Sequence, residues 1–398
     1  MDEEEQTMDS RHETLNWKWL GLALFALGFF WMLGYNLALG YGIMSNDSRF
    51  YLRHAIGIQQ EGFAYVGTAK LQFFYWFLPA ILATLRSLFG DSWKDGYLVL
   101  QCLFSGAFYL GIYRLAEHLR GWKAGLIVVV LGLVCIEYIN WSRYILTDIM
   151  FTSIALWFVL VLLKLKSCSW NDRWGWSLLV PLLILVTMAR PVGFLFPFAI
   201  SLYLFYMTLR NADRNWKVVV PISLLLMVAV GAFLLATLWD DYGLRQYFNV
   251  FMDFFRDGMV IRNRPEYDLP NDAFLEGGLF AKILFMLEVV LMRCVAFWNP
   301  FIIGYSVPHL LFNGLTLFPY FILALYGMIR NFRGQYLALV LILVVVTLFH
   351  SVTLIDYDHR YRLPILGFVL VLSGIGLLDG IGDVRRLWQR RIANRDSS

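Results

Sequence analysis

The sequence predicts an all-α protein that crosses a membrane about ten times, with two further helices lying at, or dipping into, one face. Three observations carry this. Hydrophobic residues make up 59% of the 398-residue chain and charged residues 16%, with a mean hydropathy of +0.61, values that soluble domains do not reach. Apolar runs of roughly spanning length, about 20 residues, recur from end to end. Lys and Arg gather between some of these runs and not others, and that asymmetry sets orientation.

In order, the runs lie near 17–40, 71–89, 95–117, 122–139, 149–165, 175–189, 192–209, 218–238, 280–298, 309–329, 335–355 and 363–379. Basic residues cluster at Arg114, Arg120 and Lys123, at Lys164, Lys166 and Arg173, at Arg210, Arg214 and Lys217, at Arg330 and Arg333, and at Arg385, Arg386, Arg390 and Arg391. All of these fall on the cytoplasmic side only if 71–89 and 280–298 start and end on the outer side. Both runs suit that. The first carries Pro79 and Arg86, the second Glu288 and Arg293, and broken or polar helices are tolerated in a membrane where they pack on protein or line a cavity. The expected organisation is an acidic cytoplasmic N-terminus (1–16), a transmembrane body (17–380) with outer loops at 41–94 and 239–308, and a basic cytoplasmic tail (381–398). The acidic start and long first run argue against a cleaved signal peptide. Cys102, Cys135, Cys168 and Cys294 lack metal or disulfide spacing and read as small buried hydrophobes.

The outer side is where the chemistry collects. The first loop opens with Asn46-Asp47-Ser48-Arg49-Phe50-Tyr51-Leu52-Arg53-His54 and runs to Lys70. The second reads Trp141-Ser142-Arg143-Tyr144-Ile145-Leu146-Thr147-Asp148, and the third is the turn Arg190-Pro191. The fourth includes Arg262, Arg264, Glu266, Asp268 and Asp272, and the last is Asp356-Tyr357-Asp358-His359-Arg360-Tyr361-Arg362. Arginines outside run against the topology rule and call for local anions, carboxylate in part and phosphate for the rest.

These parts suffice to transfer a sugar from a polyprenyl-phosphate donor to an acceptor hydroxyl. Asp47, at the bilayer edge where partial desolvation strengthens a base, is the candidate general base. Arg190, Arg293, Arg360 and Arg362 are candidates to hold the leaving phosphate. Asp148, at a helix N-terminus, orients the acceptor or joins Asp47 in holding a divalent cation, magnesium or manganese. Tyr51, Tyr357 and Tyr361 offer faces for a sugar, His54 and His359 offer hydrogen bonds, and Arg53, Lys70 and Arg143 complete the substrate-binding candidates. No nucleotide-binding glycine loop or P-loop is present, and nucleic acid is not an expected partner.

Five short motifs in order then resemble the GT-C class of integral-membrane glycosyltransferases, in the branch of the bacterial aminoarabinose-to-lipid-A transferases and the protein O-mannosyltransferases. They are Asp47-Ser48-Arg49-Phe50-Tyr51, the stretch from Gln72-Phe73-Phe74-Tyr75-Trp76 to Phe89-Gly90, Arg143 through Thr147-Asp148, Ala189-Arg190-Pro191-Val192-Gly193, and Arg360-Tyr361-Arg362-Leu363-Pro364. The resemblance implies a catalytic acid in the first outer loop (Asp47), a second-loop acid (Asp148), interfacial helices beside them and a polyprenyl-phosphate sugar donor. It also implies a multi-pass protein of a bacterial inner or plasma membrane, active on the periplasmic or extracellular face upon a glycan, lipid or protein acceptor. Ser48 stands where the family has a second acidic residue. With no soluble outer domain following Leu387, acceptor recognition is expected to rest on the loop from Trp239 to Pro308. The rival readings are a flippase for lipid-linked sugars, which charges gathered at one surface without repeated halves disfavour, and an oligosaccharide ligase or polymerase.

Overall fold

The computed structural model describes residues 2–69, 75–165, 173–210, 277–301, 306–353 and 359–396. Among these the fold is helical, apart from one isolated bridge between Ile43 and Tyr144. The helices are α1 (Asp2–Leu39), α2 (Asn46–Glu61), α3 (Ala64–Thr68), α4 (Phe77–Phe89), α5 (Trp93–Arg120), α6 (Trp122–Leu133), α7 (Ile136–Trp141), α8 (Asp148–Lys164), α9 (Arg173–Ala189), α10 (Leu195–Arg210), α11 (Leu279–Trp298), α12 (Val307–Arg330), α13 (Tyr336–Thr353) and α14 (Leu363–Asp396). The expected span at 218–238 and the charged residues from Arg262 to Asp272 lie outside the described residues, as do Lys70 and Tyr357.

Four helical segments are long and apolar enough by themselves to cross a membrane, 18–39, 77–120, 310–330 and 360–395. The shorter apolar helices are Trp122–Leu133, Ser177–Ala189, Pro191–Met207 and Tyr336–Val352. The run at 122–139, expected as one span, instead breaks after Leu133 and resumes as α7. The break is tolerated because side chains take the carbonyls released at the end of α6: the hydroxyl of Tyr320 donates to Leu131 O at 3.0 Å and that of Tyr109 to Gly132 O at 3.1 Å.

Contacts sort the loops to two ends. At one lie the turns leading out of α1 and α9 and the N-termini of α8 and α14. At the other, Arg120 and Asn331 both bond Asp379, while Arg330 and Tyr326 bond Asp383. Arg120 and Arg330, from two of the basic clusters, thus share that second end. The core between them is apolar and close-packed. Where α12 crosses α14 the backbones nearly touch, since a Cβ on Gly376 would sit 2.1 Å from the carbonyl oxygen of Leu323, the small-residue contact that brings membrane helices together.

The two helices expected not to span are short or oblique. With 13 residues, α4 rises only about 20 Å, less than the hydrocarbon thickness of ~30 Å. Pro79 sits in its first turn, where no backbone bond is lost. Helix α11 crosses the end of α13 instead of running along it: Phe297 stacks on His350, Cys294 touches Ser351, and Phe285 and Val289 pack beside Val352. The first loop contains more helix than expected, because α2 is closed by a capping box in which the Ser45 hydroxyl accepts from Ser48 N at 3.1 Å and Ser48 Oγ accepts from Ser45 N at 3.0 Å. Ser48, where the family pattern has an acid, is the buried half of that box.

Candidate active site

Asp47 occupies the first turn of α2, Asp148 the first residue of α8, Arg190 the extended residue between α9 and the 3-10 turn Pro191–Phe194, and Arg360 the 3-10 turn His359–Arg362 that leads into α14. The fold brings these four together. Arg360 Nη1 pairs with Asp47 Oδ2, Arg360 Nε with Asp148 Oδ2 at 3.1 Å, and Arg190 Nη1 with Asp148 Oδ1. One guanidinium therefore bridges the two acids, and the buried acid holds both guanidiniums.

The two carboxylates differ sharply in environment. The Asp148 side chain is fully buried, whereas that of Asp47 is 53% exposed. The desolvation expected at Asp47 is thus incomplete, and its distinguishing feature is an open side toward solvent with Arg360 behind it. Burial, and then the charge of Arg360, pull the Arg190 guanidinium down to about 10, so it remains a cation at neutral pH. Tyr51, buried one turn beyond Asp47, has its phenol pushed up to about 12 by desolvation and is a hydrogen-bond donor at any working pH.

Hydrogen bonds behind these four residues fix this geometry, and no pattern in the sequence announces them. The Tyr97 hydroxyl donates to Leu146 O at 2.7 Å and accepts from Leu146 N at 3.0 Å, while Gln101 Nε2 donates to Tyr97 Oη at 2.7 Å and to Tyr144 O at 3.3 Å. These bonds shape the turn that delivers Asp148. Thr152 Oγ1 donates to Leu363 O at 3.0 Å, pinning α8 to the start of α14 and so Asp148 to Arg360. The turn at Arg190 depends on Gly193, whose added Cβ would lie 1.8 Å from Val186 O. Gly193→Ala is accordingly expected to cost about 1–3 kcal/mol or more through overpacking, read as a lowered thermal midpoint. Gly34→Ala, with nothing within 4 Å of the new methyl, is the control expected to leave that midpoint in place.

Other predicted site residues are placed differently. Arg143 donates to Gly40 O at 3.0 Å and to Leu39 O, at the C-terminus of α1. Arg293, buried in α11, donates to Ser351 O at 3.3 Å, at the end of α13. Arg362 donates to Phe297 O at 2.9 Å and Asn299 O at 2.8 Å, at the end of α11, and lies 3.7 Å from Glu137, a buried acid that the sequence reading overlooked. Three helix C-termini point at this end of the bundle, and their carbonyls, at the partly negative ends of the helix dipoles, accept from these arginines.

Arg53 is exposed on α2. His54 is half-buried and accepts or donates at 3.2 Å with the Tyr65 hydroxyl, and burial and then Arg53 lower its pKa, leaving it neutral at pH 7. Phe50, Tyr51, His54, Tyr65 and Tyr75 form a ring cluster beside Asp47. Tyr361 lies 5.8 Å from the His350 ring, and the His359 side chain lies outside the described part. For a divalent cation the donor set is a poor match: the Arg360 guanidinium occupies the space between the two carboxylates, and no group of three His, Cys, Asp or Glu gathers among the described residues.

No family model and no curated protein matches the sequence. The structure does find likenesses. ArnT from Cupriavidus metallidurans in the apo state aligns over 92% of this chain and 60% of its own, with a TM-score of 0.52 and 17% identity. The structure of ArnT from the same organism bound to undecaprenyl phosphate aligns over 91% of this chain and 60% of its own, with a TM-score of 0.50 and 15% identity. This chain thus spans 60% of the length of either. Identity at that level speaks to fold alone, and the fold is an ArnT-like helical bundle.

Proposed function

We propose that the protein is an inverting glycosyltransferase that moves a hexosyl or pentosyl group from a polyprenyl-phosphate donor to a hydroxyl of a glycan, lipid or protein acceptor, on the outer face of the membrane. The observation that carries this reading is the chain Asp47–Arg360–Asp148–Arg190 at one end of the bundle. The bond to be broken joins the anomeric carbon to a phosphate oxygen, and the phosphate leaves with the electron pair. It needs cations already in place as charge develops, and not a general acid. Arg360 and Arg190 meet that need, oriented by an acid too buried and too fully engaged to take a proton from an acceptor. Asp148 is read here as the anchor of the two guanidiniums.

Asp47 is the carboxylate with an open side. The acceptor hydroxyl attacks the anomeric carbon as Asp47 accepts its proton, a contribution typically of about 10²–10⁴ in rate. Before the donor binds, Arg360 holds Asp47. A phosphate dianion or diester arriving at Arg360 competes with that pair and releases the base when the leaving group is in place. The fold shared with an ArnT structure that holds undecaprenyl phosphate supports the choice of donor.

The test is transfer by the purified protein in liposomes, with a panel of radiolabelled polyprenyl-phosphate sugars and membrane extract as acceptor. Transfer, or slow donor hydrolysis, is expected with at least one donor. Labelled lipid crossing the bilayer unchanged, without transfer, would make the protein a flippase.

A further inference from the structure

Two buried polar groups near the site have no part in the mechanism above. His350 is buried in the last turn of α13, between the rings of Phe297 (5.4 Å, stacked), Phe349 (5.6 Å) and Tyr361 (5.8 Å). Neither of its ring nitrogens has a hydrogen-bond partner among the described residues. Thr347, also buried, lies one turn earlier on the same face of α13, and its hydroxyl is likewise without a partner there. A ring between aromatics is ordinarily Phe, and a wall residue ordinarily Val. Polar groups left unsatisfied in such places are stabilising only when something else bonds them.

What adjoins Thr347 is an apolar groove of about 460 Å³, within the ~300–1,000 Å³ usual for small-ligand sites. Its walls include Trp298, Phe321, Leu325, Val344 and Thr347, from α11, α12 and α13. Thr347 is thus its polar wall residue, and one turn further along α13 His350 lies beside Tyr361, the chain neighbour of Arg360. The orphaned hydroxyl on the groove wall and the orphaned imidazole thus lie between the groove and the turn that carries Arg360.

We propose that this groove takes the isoprenoid tail of the lipid-phosphate donor, and that Thr347 and His350 are positioning residues that hydrogen-bond its phosphate end on the way to Arg190 and Arg360. The proposal rests on the reading of the donor given above. An ordinary acyl chain would fill the groove equally well and leave both polar groups unsatisfied. A phosphate oxygen accepts from a threonine hydroxyl and an imidazole N–H together, which singles out an amphiphile with the anion at the head of an apolar chain.

The experiment is equilibrium binding of undecaprenyl phosphate and of uncharged undecaprenol to the full chain in nanodiscs, with thermal midpoints of each ligand-free variant. Wild type is expected to prefer the phosphate. His350→Phe and Thr347→Val are each expected to weaken phosphate binding about tenfold, equivalent to ~1.4 kcal/mol, to leave undecaprenol binding in place, and not to lower the midpoint. His350→Gln, which restores a donor, is expected to recover part of the loss. Phosphate binding unchanged in both variants would overturn the assignment while leaving the donor reading intact, and so would a loss that appears only together with a fall in midpoint. Failure of wild type to bind undecaprenyl phosphate at all would remove the donor reading and this inference together.

Discussion

Asp47→Asn is expected to lower the rate of sugar transfer by roughly 10²–10⁴, the usual worth of a positioned general base, while donor binding holds or tightens. The amide keeps the shape of the side chain but cannot accept the acceptor's proton as a carboxylate does. Binding is spared because Arg360 is held from its other side by Asp148 at 3.1 Å, so the guanidinium stays in place and loses a competitor for the phosphate. The measurement is single-turnover transfer alongside equilibrium donor binding. Rate and binding falling together would mean that Asp47 holds the donor, and a rate near wild type would end its role as base.

The second large effect is structural in origin. Asp148→Ala leaves Arg190 and Arg360, both nearly buried, without the carboxylate they share. Removing one partner of a buried ion pair typically costs about 3–5 kcal/mol, because the remaining charge is stranded in a low dielectric. Here Arg190 loses its carboxylate outright, and Arg360 keeps only the half-exposed Asp47. The expected result is a large fall in the unfolding midpoint together with loss of donor binding, measured on detergent-solubilised protein with and without undecaprenyl phosphate. A variant of normal stability that binds donor and fails only in transfer would instead place Asp148 on the acceptor. The contrast between the two aspartates is the useful part: one change should spare binding and stability, the other should remove both.

Which residues meet was partly legible in advance. Parity of the spans, fixed by Arg114, Arg120, Arg330 and their neighbours, put Asp47, Asp148, Arg190 and Arg360 on one side, and the structure places all four in one network. Parity could not say which arginine does what. Arg360 and Arg362 are two residues apart in one motif, yet one faces the carboxylates and the other the carbonyls at the end of α11. Arg143, a candidate substrate ligand, and Arg293, a candidate phosphate ligand, donate to backbone carbonyls at the ends of α1 and α13. Glu137 was lost inside an apolar run, and Tyr97 and Gln101 looked like ordinary residues of a spanning helix. The break in the run at 122–139 was invisible because it depends on Tyr109 and Tyr320 from other helices.

By itself the sequence determined the class of the molecule, the approximate course of its helices and the end at which its ionisable groups collect. The physical reason is that a bilayer acts as a nearly uniform solvent, so that a local count of apolar and basic residues is enough to decide what lies within it and which way it faces. The tertiary structure decided the partners. Asp47 meets Arg360 across 313 positions of sequence and Asp148 meets it across 212. Pairings of that kind are set by how helices pack and where their carbonyls are left open, and no pattern within a single segment records them.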